Sequence, residues 1–298
     1  MDLIVAIVTF NSSDIIYNCL KSIVEKTKDL NYKIVIIDNN SNDNTTEIIK
    51  NSYPEIYIIE NENNIGFGKA NNKIFELFNS KYYFLLNPDT ELLNNSIKIL
   101  YDFMETHKDF ACCGSNLYDE NLRLQYSYGN FPTIKKALFE FGLHKIFKSY
   151  YQEKLSDCVT YKRDVFSEVP YVTGAALMIR SNIIHEFKGF DNDFFLYYEE
   201  TELQYRIRSK GYKIGLVPDS KIKHISNYSI NKMNNINRLI AIENGRFLFY
   251  KKVYGSYKAN FIKKLYLFRY FLYFLFGKEN LKFKDLIEIY KILILNTR

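Results

Sequence analysis

The chain reads as an α/β domain, a mostly parallel sheet flanked by helices, followed by a basic and aromatic helical tail. Three observations predict this. Short apolar runs alternate with segments carrying apolar residues at helical spacing, and strands joined through helices of that length form a parallel sheet with right-handed crossovers. Four apolar runs stop at Asp, Asn or Glu, namely Thr9-Phe10-Asn11, Asp38-Asn39-Asn40, Asn87-Pro88-Asp89 and Glu199-Glu200. Open α/β sheets hold ligands beyond the carboxyl ends of their strands. Charge is also divided: residues 245–298 hold 12 Lys and Arg against 3 Asp and Glu, a balance of +9, whereas residues 1–244 balance at −3.

Leu3 to Val8 is a β-branched run without helical period, so a buried strand. Ser13 to Lys26 carries Ile15, Ile16, Cys19, Leu20, Ile23 and Val24 on one helical face, with Ser12, Ser13 or Asp14 available as cap. Tyr32 to Ile37 is a strand ending in Asp38, Asn44 to Asn51 a helix, Ile56 to Glu60 a strand and Gly68 to Phe78 a helix. Tyr82 to Leu86 is a fourth strand, which stops at Asn87-Pro88 and delivers Asp89. This half has a nucleotide-binding layout. Segment 114–170 is less regular, with basic pairs at Lys135-Lys136 and Lys162-Arg163, and is expected to be partly mobile. Val172 to Arg180 returns to a strand pattern around Thr173-Gly174-Ala175. Thr201 to Lys210 reads as a helix with Arg206, Arg208 and Lys210 in its last turns and Gly211 as its stop.

At 298 residues the chain suffices for one large domain or a domain with an appendage, and 47% hydrophobic with 25% charged is an ordinary globular composition. Cys19, Cys112, Cys113 and Cys158 have no metal-site spacing and read as reduced thiols. The start Met1-Asp2-Leu3 lacks the lysines of a secretory leader. No run reaches the ~18–20 uninterrupted apolar residues needed to cross a bilayer. In the tail, Phe261 to Phe276 mixes Lys263, Lys264 and Arg269 with ten Leu, Tyr and Phe side chains between Leu265 and Leu275. Such a helix suits the headgroup region of an anionic bilayer; the alternative is a helix that packs its aromatic side on the main domain or on a second copy. Nucleic acid is not expected as a partner, because no binding motif accompanies the charge.

The segments Val8-Thr9-Phe10-Asn11, Ile37 to Asp43, Asn63-Asn64-Ile65-Gly66-Phe67-Gly68 with Asn71-Asn72, Leu86 to Thr90, Thr173-Gly174-Ala175, and Gly189-Phe190-Asp191 through Glu200 occur in one order over roughly residues 3 to 255. Together they resemble glycosyltransferase family 2, the inverting GT-A group, and within it the rhamnosyltransferase-like branch of bacterial surface polysaccharide synthesis. The resemblance implies a GT-A fold in residues 1–244, with a nucleotide-sugar-binding half at 1–110, an acceptor-binding half at 111–244, and the tail at 245–298.

Each motif has a chemical role and a plainer competitor. Asp38 can accept hydrogen bonds from a base or ribose, which is the role the resemblance implies, and Asn40 is grouped with it; Asp-Asn-Asn-Ser-Asn-Asp is equally good turn chemistry. Thr9 and Asn11 line the same base pocket or cap the helix that follows. Asn64, Gly66 and Gly68 precede a helix whose amides can approach a phosphate or ribose. Asp89 matches the last position of the family's Asp-x-Asp, which binds a divalent cation, Mn²⁺ or Mg²⁺, bridging the donor phosphates; Asn87 stands where other members carry the first Asp. Asp89 can otherwise cap a helix beginning near Glu91. His224, after the strand-like Lys221 to Lys223, is a further metal or diphosphate ligand, or a structural histidine. Glu199 and Glu200 match the family's Glu-Asp pair, with Glu200 the general base, and they also fit the acidic first turn of a helix.

The implied reaction is an inverting transfer of a sugar, rhamnose by the branch resemblance, from a dTDP, UDP or GDP donor to a hydroxyl of a polyprenyl-linked saccharide. The implied place is the inner face of the cytoplasmic membrane. A nucleotidyltransferase of similar fold should carry an early Gly-rich, basic loop, and residues 8 to 20 contain no Gly or Arg. A catalytically silent sugar-nucleotide-binding or membrane assembly subunit is the other alternative, against which the retention of Asp89 and Glu200 argues.

Overall fold

The computed structural model describes residues 1–156, 165–225 and 235–275, with Ile287, Tyr290 and Lys291. Cys158, the Lys162-Arg163 pair, Phe276 and most of the last twenty residues lie outside the described residues. Strand β1 (Leu3–Thr9), buried throughout, runs parallel between β2 (Tyr32–Asp38) and β4 (Tyr82–Leu86), and β3 (Tyr57–Glu60) extends this block beyond β2. The linking helices are α1 (Ile16–Lys26), α2 (Thr45–Ser52) and α3 (Phe67–Leu77). After β4 come a short strand β5 (Thr90–Leu92), helix α4 (Ser96–Thr106) and strand β6 (Phe110–Tyr118).

An excursion follows: strand β7 (Tyr128–Gly129), helices α5 (Ile134–Phe139), α6 (Leu143–Ile146) and α7 (Lys148–Lys154), and strands β8 (Ser167–Glu168) and β9 (Tyr171–Val172). The chain then forms strand β10 (Ala176–Arg180), helices α8 (Ser181–Phe187) and α9 (Glu199–Ser209), strand β11 (Lys213–His224), and helices α10 (Asn235–Tyr254) and α11 (Ser256–Leu275). The sheet order is β3-β2-β1-β4-β10-β6-β11-β5, with β8 on β11. Apolar residues of α1, α2 and α4 fill one face of this sheet and those of α3, α8 and α9 the other, giving three layers.

The parallel expectation holds for the first half and changes in the middle. Strand β10 pairs antiparallel with both β4 and β6, and β5 antiparallel with β11. It enters from the excursion rather than from a crossover helix, so the handedness rule for parallel pairs does not act on it. The run expected as one strand from Val172 breaks at Thr173 to Ala175, which link β9 to β10. Helix α1 starts at Ile16 without a side-chain cap, because Ser12 and Ser13 are held by the neighbouring loop: Thr45 Oγ1 accepts from Ser12 N at 2.8 Å and Asp43 Oδ2 from Ser13 N at 3.1 Å. Neither Thr9 nor Asn11 caps it. No helix begins near Glu91, so Asp89 is no cap; residues 90–92 pair with β11.

The tail packs on the domain. Helices α10 and α11 meet at Gly255, and Tyr250, Ala259, Ile262, Tyr266, Leu267 and Tyr270 form a separate core with Ala137 of α5. Helix α10 crosses residue 244 without a break. The opposite side of α11 stays exposed at Tyr257, Phe261, Phe268, Phe271 and Leu275. Among the described residues no helix is long and apolar enough to cross a membrane.

Candidate functional site

The carboxyl ends of β1 and β2 meet through side chains. Thr9 Oγ1 donates to Asp38 Oδ1 at 2.8 Å, and the Asn39 amide donates to the Thr9 carbonyl at 2.8 Å. The turn after β2 closes on the same carboxylate: Ser41 Oγ donates to Asp38 Oδ1 at 2.5 Å and Ser41 N to Oδ2 at 2.7 Å. Asp38 is therefore buried and shapes its own turn, the plainer of its two expected roles. Asn11 and Asn40 adopt left-handed conformations, φ 51° and 65°. The Asn11 side chain accepts from Asn42 N at 2.8 Å, tying the two strand ends together, and Asn40 is exposed at the rim.

The Asn64 loop ends β3 and opens α3. Asn64 Oδ1 accepts from Gly66 N at 3.0 Å. Gly66 has φ 86°, and a β-carbon there would lie 2.3 Å from the Phe195 carbonyl oxygen, so only glycine fits between this loop and the segment before α9. Asn72 fastens that segment from α3: its amide nitrogen donates to the Phe190 carbonyl at 2.9 Å and its oxygen accepts from Phe190 N at 2.9 Å. The Gly-x-Gly and Asn-Asn motifs thus bind two distant loops to one another.

Asp89 and His224 come together. Residue 89 lies just past β4 and His224 ends β11, where it pairs with Thr90; the imidazole Nε2 stands 3.4 Å from Asp89 Oδ1. Asp89 is 4% exposed, and its Oδ1 has no hydrogen-bond partner among the described residues. A buried carboxylate oxygen without a donor is costly unless something positive meets it. A carboxylate beside an imidazole fits a divalent cation whose other ligands are phosphate and water oxygens. Among the described residues no group of three or more His, Cys, Asp and Glu forms a closed metal cage. Asn87 serves the backbone here, its amide donating to the Ala175 carbonyl at 3.0 Å.

That bond joins the Asp89 strand end to Thr173-Gly174-Ala175, which in turn meets Glu200. The α-carbon of Gly174 faces Glu200 so closely that a β-carbon would touch its Cγ at 3.4 Å. Gln204 of α9 brackets Val172, accepting from its amide at 2.9 Å and donating to its carbonyl at 2.8 Å, which fixes this register. Glu199 and Glu200 open α9, two residues earlier than the helix expected from Thr201. Burial raises both carboxyl groups above their usual range, Glu199 well above it because the Glu200 charge adds to the effect, while amides of Gly174 and Thr201 oppose the rise at Glu200. The Glu200 charge thus adds to burial in disfavouring the ionised form of Glu199.

Several supporting residues were missed in the sequence. Tyr197 and Tyr198, immediately before the acids, have φ 69° and 71°, a conformation that costs a bulky residue energy and persists only when its surroundings impose it. The tail imposes it. Gly245 of α10 approaches so closely that a β-carbon would lie 2.4 Å from the Tyr197 carbonyl oxygen. Arg246 Nε donates to the Tyr198 hydroxyl at 3.1 Å and its Nη1 to Glu243 Oε1 at 2.6 Å, with the guanidinium 4.6 Å from the Tyr266 ring centre. Tyr270 also donates to Glu243, at 2.7 Å, and Glu140 accepts from Tyr266 and Arg269, both at 2.6 Å. Gly245 carried a signal, since it sits among bulkier residues, but Arg246 had none.

The arrangement agrees with comparisons to known proteins. The model of the family "Glycosyl transferase family 2" matches residues 4–186. The N-acetylglucosaminyl-diphospho-decaprenol L-rhamnosyltransferase of Mycobacterium tuberculosis is 22% identical over 205 residues, 64% of this chain and 66% of that protein, so the match spans just under two thirds of the relative. Rhamnosyltransferase WbbL of Escherichia coli K12 is 26% identical over 235 residues, 75% of this chain and 83% of that one. Among solved structures, GalNAc-T7 with UDP, GalNAc and Mn²⁺ superposes with a TM-score of 0.58 at 17% identity, over 84% of this chain and 50% of that one, which shows a shared fold. With strand-end acids in the expected order and a family model covering more than half of its length, the chain belongs to glycosyl transferase family 2.

Proposed function

We propose that the protein is an inverting glycosyltransferase that moves a hexose, rhamnose by analogy with the named relatives, from a nucleotide diphosphate to a saccharide hydroxyl. The observation that carries this reading is the contact of Glu200 with Gly174, one peptide from the Ala175 carbonyl that binds the Asp89 strand end. In this reading a proton acceptor and a phosphate-side acid share one end of the sheet. Thr9, Asn11, Asn40 and the Asn64–Gly66 loop border the nucleotide, and Asp38 holds the turn that shapes that border. Asp89 and His224 would hold Mn²⁺ or Mg²⁺, which when bound neutralises charge on the donor diphosphate.

Glu200 takes the acceptor hydroxyl proton as that oxygen forms a bond to the anomeric carbon. The bond from this carbon to the diphosphate oxygen breaks on the opposite face, its electron pair leaves with the nucleotide diphosphate, and configuration inverts in one displacement. A carboxyl group lifted by burial is the stronger base once ionised. Glu199, pushed up by burial and by the Glu200 charge, favours the neutral form and so limits negative charge beside the leaving diphosphate.

The acceptor in this reading is polyprenyl-linked, as in the mycobacterial relative's name, and the enzyme works at the inner surface of the cytoplasmic membrane. The exposed stripe of α11 supports this, because Phe268 stacks at 6.5 Å on Phe141, next to exposed Leu143, Ile146 and Phe147 around α6. Apolar side chains so grouped, with Lys145, Lys148 and Lys264 beside them in the chain, suit an anionic bilayer surface. Glu200→Gln tests the chemistry: transfer should fall at least about a thousandfold, near general-base magnitude, while a nucleotide diphosphate with Mn²⁺ still raises the melting temperature. Turnover kept by this variant would remove Glu200 from the role.

A further inference from the structure

Apart from the strand-end site, a cavity of about 670 Å³ lies between residues 193–196, α10 and α11, a volume within the ~300–1,000 Å³ usual for ligand sites. None of Thr9, Asp38, Asp89 and Glu200 lines it. Its apolar lining comes from Phe194, Phe195, Leu196, Ile240, Leu248 and Ala259. Charge in it is one-sided. Lys251 and Lys263 both line the cavity, and neither has an ion pair among the described residues. Asp193, the acid that lines it, is already taken by Lys252 at 2.5 Å. Burial alone, with no carboxylate to offset it, pushes the Lys263 ammonium below its usual range. An apolar cleft with two uncompensated cations matches a molecule that is apolar along its length and anionic at one end.

We propose that this cavity binds a long-chain lipid phosphate, its chain against Phe194, Leu196, Ile240 and Leu248 and its phosphate on Lys251 and Lys263. The inference rests on the glycosyltransferase reading and deepens it, because the occupant is the lipid end of the acceptor. The wall at Phe194 to Leu196 runs directly into Tyr197, Tyr198 and Glu199-Glu200. Leu196 is four residues from Glu200, at most about 14 Å of chain, so the cavity wall lies close to the end of the sheet where the acids stand. The wall is rigid where it matters, since Gly245 and Arg246 of α10 fix Tyr197 and Tyr198.

The test uses the full chain and farnesyl phosphate in a non-ionic detergent, read by equilibrium dialysis of the labelled lipid. Two variants are compared, Lys251→Glu with Lys263→Glu, and Asn260→Trp, whose exposed position lines the cavity. Farnesyl phosphate should bind the parent, and affinity should fall at least about tenfold for each lysine reversed. Asn260→Trp should weaken binding by occlusion with charge unchanged. Farnesol should bind less tightly than its phosphate, and inorganic phosphate alone should not compete at equal concentration. UDP, dTDP or GDP binding with Mn²⁺ should be unchanged in both variants, which also reports that they are folded. Equal lipid affinity in the parent and the folded variants overturns the proposal. So does a loss seen only with phosphatidylglycerol vesicles, which would assign the lysines to a bilayer surface. Nucleotide binding and sugar transfer to a soluble acceptor without any farnesyl phosphate binding would defeat the cavity alone; lipid binding that follows the variants in a protein that binds no nucleotide would defeat the enzyme reading alone.

Discussion

Replacing Arg246 with Met should cost the protein much of its stability and loosen the turn that presents the acids. The guanidinium is the ion-pair partner of Glu243, a residue 1% exposed whose Oε2 lacks a hydrogen bond among the described residues. Without it, Glu243 keeps the Tyr270 hydroxyl, at 2.7 Å, as its one hydrogen-bond donor among the described residues. Removing one member of a buried ion pair leaves an uncompensated charge and costs roughly 3–5 kcal/mol, a large share of the ~5–15 kcal/mol that holds a domain together. At about 2–4 °C per kcal/mol for a chain of this size, the melting temperature should drop by about 6–20 °C. Burial raises the Glu243 carboxyl group above its usual range, with Arg246 opposing the rise. A raised folded-state value contributes stability at low pH that is lost as pH climbs through it, so the deficit of Arg246→Met should shrink between pH 7.5 and pH 5. Adding Glu243→Gln should restore most of the loss, since an amide needs no counter-ion. Tyr198 loses its 3.1 Å donor in either variant, so kcat/KM should remain low even in the rescued double variant at a temperature where it is folded. Calorimetry and single-temperature kinetics measure both effects. A melting temperature within about 2 °C of the parent, or a double variant no more stable than the single, would refute the argument.

Asp89→Ala should weaken nucleotide-diphosphate binding by about ten- to a hundredfold when Mn²⁺ is present and little after chelation; the same loss without metal would count against the cation. Because Glu200 is raised and must be ionised to accept a proton, the acid limb of kcat/KM should lie above the ordinary glutamate value of about 4.3. Glu199→Gln should raise the melting temperature at pH 7.5, where a carboxyl group with a raised folded-state value has lost its contribution, and should have less effect near pH 4. Phe261→Ser with Phe268→Ser changes two exposed side chains of α11 and should reduce sedimentation with anionic vesicles without lowering thermal stability. These point changes are preferable to removing residues 256–298, which would also strip Tyr266 and Tyr270 from the core they share with α10.

The parallel block was legible because each of its strands is a short apolar run followed by a helix of regular period, and both patterns are local. The positions of Asp38, Asp89 and Glu200 at element ends were legible for the same reason. What these side chains touch was less so. The Asp38 carboxylate is engaged by Ser41, three residues on, which depends on the backbone angles of one turn. Strand β10 reads as an ordinary apolar run, and nothing within it states that it enters antiparallel between β4 and β6. Lys136 reads as half of a basic pair, and nothing local states that it is 1% exposed and 3.7 Å from Glu140 beside the core that α5 shares with α10 and α11.

The sequence alone determined the layered fold, the ends of the strands on which polar residues stand, and the family those motifs describe, since period, spacing and order are properties of neighbouring residues. Only the tertiary structure decided that His224 stands 3.4 Å from Asp89 across 135 positions of sequence, that Gly174 backs Glu200, and that the basic tail holds the Tyr197-Tyr198 turn. Such pairings depend on how distant segments close upon each other, and no local pattern of apolar and polar residues records the partner at the other end.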